Sequence, residues 1–333
     1  MTATTARLTL LLARPRGFCA GVERAIRIVE LALERFGPPV YVRHGIVHNR
    51  AVQDRLRAQG AIFVEQAAEA PRGSLLIFSA HGVSPAVRQE ARRCGHDVID
   101  ATCPLVTKVH QEARRYAREG AEILLIGHAR HVEVEGTRGE APQATQVVET
   151  LEDARRVAVR DPERVSVLTQ TTLSVDETSE ITAALRARFP KLRAPHKDDI
   201  CYATQNRQDA VKQLARRAER VLIVGSPESS NGMRLVETAR RAGAWAERVE
   251  GAAEVEPRWL EGIACIGIAA GAAVPESSVA AVIARIVELR GGAAQIEELP
   301  GVDEDLSFAL PALLRSTRPR RRISEGMTEP PSP

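Results

Sequence analysis

Val98-Ile-Asp-Ala101-Thr-Cys103-Pro-Leu-Val106-Thr-Lys-Val-His-Gln-Glu-Ala-Arg-Arg-Tyr-Ala117 joins a short apolar run to an amphipathic stretch, with a cysteine at the joint. Val98–Ala101 has the length and composition of a buried strand, and Val106–Ala117 the spacing of a helix. The pattern comes twice more. Cys19 follows the apolar run Leu8–Ala13 and precedes Val22–Leu33, and Cys201 follows Asp199–Ile200 and opens Val211–Ala218. Each cysteine reads as the end of a strand feeding the start of a helix. The three stand about 80 to 100 residues apart, far too long for a zinc finger or a Cys-x-x-Cys redox pair. Three such units fit a roughly threefold arrangement whose thiolates converge on one centre, favoured by the free N–H groups and dipole of each helix start. Three sulfur ligands with a vacant fourth position make an iron–sulfur cluster reactive rather than merely electron-carrying. Packing cysteines, or three ligands of a structural zinc completed by a histidine, are the other readings of the same residues.

Working outward, short apolar runs alternate with helical patterns almost throughout, the signature of βα units with largely parallel sheets. Strands are expected at Leu8–Ala13, Leu75–Ala80, Ile123–Gly127, Val165–Thr169, Val221–Gly225 and Ile266–Ala270, with shorter ones at Val40–Arg43 and Val98–Ala101. Helices are expected at Ala51–Gln59, Val175–Phe189, Leu235–Ala242 and Ser278–Leu289. The fold class is α/β, and the chain divides at the cysteines. One unit covers about 20–102, a second 104–198 and a third 199–285, the last joined by the N-terminal strand at 8–18. Residues 286–315 form a closing segment and 316–333 a disordered tail.

The 333 residues suffice for two or three small domains, and 44% hydrophobic residues can fill their cores. Aromatics at 3% argue against a stacking platform for single strands, and a net charge of +3 with interspersed signs leaves no nucleic-acid footprint. The basic run Arg318–Arg322 reads as part of a solvated end. No apolar run is long enough for a membrane helix, and Met1–Arg7 lacks the basic start of a secretory signal. The expected location is the cytoplasm, where disulfides are disfavoured. Of the five cysteines, Cys265 reads as a buried packing residue and Cys94 as part of a polar turn.

Ligands of parallel α/β sheets bind beyond the carboxyl ends of the strands. Those ends read His44-Gly-Ile-Val-His48-Asn49, His81-Gly82, His128-Ala-Arg-His131-Val-Glu133, Gln170-Thr171-Thr172, Ser226-Pro-Glu-Ser229-Ser230-Asn231 and Gly271-Ala-Ala273. Imidazoles, hydroxyls and an amide suit a polyanion such as diphosphate, and the Ser-Ser-Asn segment precedes a helix whose amides can face it. No Arg or Lys clamp accompanies them, so a neutral hydrogen-bonding cradle is expected. A lone histidine after a strand is ordinarily structural, and Ser-Ser-Asn or Thr-Thr-Leu-Ser before a helix is ordinarily a cap. What favours function is their joint occurrence at equivalent positions.

These segments also carry a resemblance. Pro15-Arg-Gly-Phe-Cys19-Ala-Gly, Val42-Arg-His-Gly-Ile-Val-His48-Asn, Phe78-Ser-Ala-His81-Gly-Val, Asp100-Ala-Thr-Cys103-Pro-Leu-Val, His131-Val-Glu133-Val-Glu-Gly, Thr169-Gln-Thr-Thr-Leu-Ser, Asp198-Asp-Ile-Cys201-Tyr-Ala-Thr and Ser229-Ser-Asn231 occur in order. Together they closely resemble the 4-hydroxy-3-methylbut-2-enyl diphosphate reductases, the IspH/LytB family of isoprenoid synthesis, from about Leu8 to about Phe308. The resemblance implies three α/β units around a 4Fe–4S cluster, with Cys19, Cys103 and Cys201 as ligands and the fourth iron open to substrate. It implies removal of the allylic hydroxyl to give isopentenyl and dimethylallyl diphosphates, the last step of the methylerythritol phosphate pathway. Glu133 is then the proton source, with His131 and Thr171 near the reacting end and Thr172 in support. His48, His81, Ser229, Ser230 and Asn231 hold the diphosphate. Electrons are implied to come from a flavodoxin or ferredoxin through its reductase.

The chain departs from the family pattern around the same places. Ala273 stands where a diphosphate-binding serine is usual, Ala269 where a threonine is, and Glu228 where an asparagine precedes Ser-Ser-Asn. Gly232 replaces a serine, Val132 a proline, Arg130 a glycine and Gly45 a glutamate. Losing one hydrogen bond to a charged acceptor costs about 1.5–3 kcal/mol. A divergent paralogue acting on another allylic diphosphate, and a non-catalytic iron–sulfur sensor or binding protein, are therefore the rival readings. A sensor needs the cysteines but not Glu133.

Overall fold

The computed structural model describes residues 8–195, 198–292 and 294–315. The expected tail at 316–333 and the segment Met1–Arg7 lie outside the described residues. The chain opens with β1 (Leu8–Leu12) and α1 (Ala20–Phe36), then β2 (Val40–Arg43), α2 (Arg50–Ala58), β3 (Ala61–Val64), β4 (Leu75–Phe78), α3 (Pro85–Arg93) and β5 (Asp97–Asp100). Next come α4 (Pro104–Arg118), β6 (Glu122–Ile126), α5 (Val132–Glu140), β7 (Thr145–Val148), α6 (Leu151–Arg156), β8 (Val165–Thr169) and α7 (Val175–Arg188). The last set is α8 (Tyr202–Ala215), β9 (Arg220–Val224), α9 (Ser230–Arg241), β10 (Trp245–Val249), β11 (Cys265–Ala270), α10 (Glu276–Leu289), β12 (Ala294–Glu298) and the short α11 (Ala312–Arg315).

The strands form three sheets, ordered β3-β2-β4-β5, β7-β6-β8 and β10-β9-β11-β1-β12. Every ladder among them is parallel, as expected where helices return the chain to the same edge. β6 and β8 are buried along their whole length, as strands covered on both faces must be. The helices show the complementary stripe: α1 buries Ala25, Ile28, Val29, Ala32 and Leu33, and α4 buries Val106, Val109, Ala113 and Tyr116.

The chain passes from sheet to sheet at three places. α1 leaves β1 of the five-stranded sheet and packs on the four-stranded one, burying Ile28 and Val29 with Val40, Val42 and Ile77. α4 leaves β5 and packs on the three-stranded sheet through Val109, Ala113 and Tyr116. α8, reached after α7, packs on the five-stranded sheet through Val211 and Leu214. Cys19, Cys103 and Cys201 are the residues immediately before these three helices.

The expected strand before Cys201 is absent. α7 and a loop intervene, and the loop meets its sheet at the bridge of Arg193 to Ser166 and where Asp199 Oδ2 accepts the Thr169 N–H. Two further expectations change. α9 begins at Ser230, ahead of the expected Leu235, because the Ser229 side chain accepts the Gly232 N–H and starts the helix there. Cys265, at the first position of β11, packs on the core edge but is only partly buried.

Candidate active site

All six strand ends singled out above meet at one cavity. It is lined by Cys19, Cys103 and Cys201, by His48, His81 and His131, by Glu133, by Thr171 and Thr172, by Ser229, Ser230 and Asn231, and by Ala272 and Ala273. Among the described residues no Arg or Lys lines it.

The thiols sit there because each is the N-cap residue of its helix. A Cβ placed at Gly21 would stand 2.8 Å from Cys103 Sγ and 3.8 Å from Cys19 Sγ, so glycine keeps this point clear between two of the sulfurs. Cys201 Sγ accepts the Thr204 N–H at 3.4 Å and lies 3.1 Å from Thr204 Oγ1. Backbone amides of Gly21 and Val22 favour the Cys19 thiolate, and those of Leu105 and Val106 favour that of Cys103. Burial outweighs them: it pushes Cys19 up, Cys103 up to about 11 and Cys201 up to about 12. Without a cationic partner the sulfurs are therefore protonated at neutral pH. Among the described residues no three His, Cys, Asp or Glu side chains close on one point as a single metal ion requires. Three soft donors ringing a cavity fit a multinuclear iron–sulfur group better than one tetrahedral zinc.

Opposite the thiols the donors are uncharged. The rings of His48 and His81 lie 4.1 Å apart, and His131 stands 5.5 Å from His48 and 6.1 Å from His81. Burial, reinforced by the neighbouring imidazoles, holds His81 well below the usual histidine range and lowers His131 to about 3. Burial lowers His48 too, although the Glu228 charge opposes it. His131 Nδ1 accepts the Glu133 N–H at 3.2 Å, which leaves its proton on Nε2. His131 Nε2 and His48 Nε2 are both buried without a partner, an expense that a bound anion removes.

Gln170, 1% exposed, orders the hydroxyls. Its Nε2 donates to Thr172 Oγ1 at 2.9 Å and to Ser230 Oγ at 3.3 Å, and Thr172 Oγ1 donates to Ser230 Oγ at 3.1 Å. The Ser230 proton is spent on neither of these bonds. Ser229 Oγ accepts Gly232 N–H at 3.2 Å and likewise keeps its own proton. Asn231 is already committed: Oδ1 accepts Ala272 N–H and Nδ2 donates to Thr204 Oγ1. One N–H of Asn231 remains.

Glu133 is the single buried acid of the cavity, 3% exposed. Burial pushes it up to about 7 despite two bonds from Thr171, whose N–H donates to Oε1 at 2.6 Å and whose hydroxyl lies 3.0 Å from Oε2. With Oε1 occupied by an N–H, a proton on Glu133 belongs on Oε2, facing the Thr171 hydroxyl. Glu133 and Thr171 are thus one proton-holding pair.

Of the departures from the family pattern, only Ala273 lines the cavity. Glu228 and Arg130 are exposed, Val132 is the first residue of α5, and Ala269 is buried within β11. A side chain at Gly45 would meet Gln53, whose amide donates to Val47 O in that space.

Three parallel α/β units closing on one cavity of thiols, neutral donors and a buried acid define an enzyme of oxidoreductase chemistry. The LytB protein family model matches residues 10–287. A 4-hydroxy-3-methylbut-2-enyl diphosphate reductase of Acidothermus cellulolyticus is 57% identical over 307 residues, covering 92% of this chain and 90% of its own. The reductase of the same name from Acidithiobacillus ferrooxidans is 52% identical over 94% of this chain and 99% of its own. The solved structure of the E-1-hydroxy-2-methyl-but-2-enyl-4-diphosphate reductase from Plasmodium falciparum superposes with a TM-score of 0.89 at 36% identity, covering 93% of this chain and 97% of that one. The chain belongs to the LytB family.

Proposed function

We propose that the chain reduces 4-hydroxy-3-methylbut-2-enyl diphosphate, taking two electrons and two protons, breaking the allylic C–O bond and releasing water with isopentenyl and dimethylallyl diphosphates. The observation that carries this is the convergence of Cys19, Cys103, Cys201 and Glu133 on one cavity. A 4Fe–4S cluster held by the three cysteines, one iron open, would supply the electrons and a Lewis-acidic metal toward the hydroxyl oxygen.

The residues of the chain do the rest. Glu133, its carboxyl pushed up to about 7 by burial, delivers a proton through the Thr171 hydroxyl as the C–O bond breaks. His131 Nε2–H donates near the reacting end. His48, His81, Ser229, Ser230 and the free N–H of Asn231 bind the diphosphate with neutral donors, and Thr172 orients Ser230. The amides at the start of α9 add to that anion site. No helix among the described residues is long and apolar enough to cross a membrane. A flavodoxin or ferredoxin with its reductase suits the electron supply.

Anaerobic turnover with a reduced viologen dye tests the reading, alongside iron and acid-labile sulfide analysis. Formation of both products by iron- and sulfide-loaded protein is expected. Loaded protein that leaves this substrate untouched would instead identify the divergent paralogue or the sensor.

A further inference from the structure

Each helix that starts at one of the three cysteines carries a cation in its second turn: Arg24 in α1, Lys108 in α4 and Arg207 in α8. None of them lines the cavity. Each reaches across to the segment that enters a different cysteine. Arg24 Nη1 donates to Ala101 O at 3.2 Å and Thr102 O at 3.1 Å, the two carbonyls before Cys103. Lys108 Nζ donates to Asp198 O at 3.3 Å and Asp199 Oδ1 at 3.0 Å, just before Cys201. Arg207 Nη2 donates to Gly17 O at 2.7 Å and Phe18 O at 3.3 Å, the two carbonyls before Cys19, and Nε also reaches Gly17 O.

The three contacts run in one direction and close on themselves. The Cys19 helix holds the approach to Cys103, the Cys103 helix holds the approach to Cys201, and the Cys201 helix holds the approach to Cys19. Every link joins residues at least 77 positions apart in sequence, so none serves local secondary structure. An N-cap side chain points where its own backbone and the preceding peptide send it. Fixing the two carbonyls directly upstream, as before Cys103 and Cys19, or the Asp198 carbonyl and the Asp199 side chain before Cys201, therefore aims the sulfur.

The cations differ in how far their charge is cancelled. Arg207, 1% exposed, is paired with Glu304 at 2.9 Å, and Lys108 with Asp199. The guanidinium of Arg24 bonds carbonyls, those of Ala101, Thr102 and Ala309. Its charge lies close enough to a Cys103 thiolate, and to the Asp100 carboxylate that Arg88 already bonds, for each to attract it.

We propose that Arg24, Lys108 and Arg207 are positioning residues that form a closed ring, locking the three cysteine-bearing helix starts in register so that the site assembles as one unit. The proposal rests on the reading of Cys19, Cys103 and Cys201 as cluster ligands, and it adds that the Arg24 charge raises the cluster's reduction potential. The test uses full-length protein reconstituted anaerobically, as wild type and as Arg24→Gln, Lys108→Gln and Arg207→Lys. Arg207→Lys keeps the buried charge, and the other two sites are half-exposed, so folding of the metal-free proteins can be checked by thermal unfolding. Chelator-driven iron release should accelerate about tenfold or more in each variant, as expected from losing one or two charge-assisted bonds. The midpoint potential should fall in Arg24→Gln and return in Arg24→Lys, a pattern that loosened packing alone would not give. Folded, loaded variants that keep both the wild-type release rate and the wild-type potential would overturn the ring. Wild-type protein that takes up no iron and sulfide would overturn the cysteine reading itself, and the ring with it.

Discussion

Glu133 has one hydrogen-bond face given to Thr171 and a burial that keeps its proton near neutrality. Glu133→Gln preserves shape and bonding to Thr171 N but cannot deliver a proton. The variant is expected to keep its iron and sulfide and lose about 100-fold or more in rate, read by anaerobic steady-state assay. Because the acid must be protonated to act, the wild-type rate limited by this step should fall as pH rises through about 7, and that limb should vanish in Glu133→Gln. The sign for stability is the same. The folded value lies above the ordinary carboxylate value of 4.5, so its contribution is full below that value and lost as pH rises to about 7. Ala273 gives a second prediction at this scale. A serine there adds one small hydroxyl donor to a wall shared with Ser229, Ser230 and Asn231. Ala273→Ser should lower KM for the diphosphate with little change in kcat. An unchanged KM would mean that the pocket already meets the anion's needs through water or the α9 amides. Glu133 was legible from its place after a strand end and from the resemblance. The ordering role of Gln170 was not, because its partners Thr172 and Ser230 come together only in the fold.

At the scale of elements, the strands that sequence patterning missed, β3, β7, β10 and β12, all lie at sheet edges. The edge position alone does not hide a strand, since β5 and β8 are edges too and were read, β8 being buried throughout. In β7, β10 and β12 polar residues interrupt the apolar run, as in Thr-Gln-Val-Val and Ala-Gln-Ile-Glu-Glu, and β3 is unbroken but only 4 residues long. The central strands β6, β9 and β11 were read to within a residue because they are buried on both faces. Helix starts were readable where a capping side chain marks them, as at Asn49 and Ser174. The cysteines also occupy N-cap positions, Cys201 with its sulfur on the Thr204 N–H, which yields a test. Cys19→Ser, Cys103→Ser and Cys201→Ser should each keep the helix start, since serine is a good N-cap residue, yet lose bound iron and sulfide and with them the visible absorption of a reconstituted iron–sulfur protein. Cys94, which ends α3, and Cys265, which opens β11, should tolerate the same change with full colour. A fully coloured Cys103→Ser protein would remove that residue from the ligand set.

For the whole molecule, the question is what holds three sheets around one cavity when each has its own core. Part of the answer is the segment after β12. Leu299 enters the core of the five-stranded sheet, and Asp303 pairs with Arg14. Glu304 bonds Asn206 and Arg207 on α8. Further on, Ala309 O accepts from Arg24, Leu313 O accepts from Arg35, and Leu314 is buried with α1 against the four-stranded sheet. The segment thus runs from one sheet to another across two of the helices that begin at cysteines. The sequence reads 286–315 as a closing segment but not its contacts, since the stretch has no periodicity and its partners lie on α1 and α8, far away along the chain. Truncation after Gly301 leaves intact the residues 10–287 that match the family model and every residue lining the cavity. It removes the carboxylate on a guanidinium that stays buried, and breaking such a pair costs about 3–5 kcal/mol. The truncated protein is therefore expected to unfold at lower temperature and lower denaturant concentration. It should also lose iron faster than the full chain even where it remains folded. If truncation after Gly301 lowered stability but left iron retention untouched, the strap would serve the fold without serving the site.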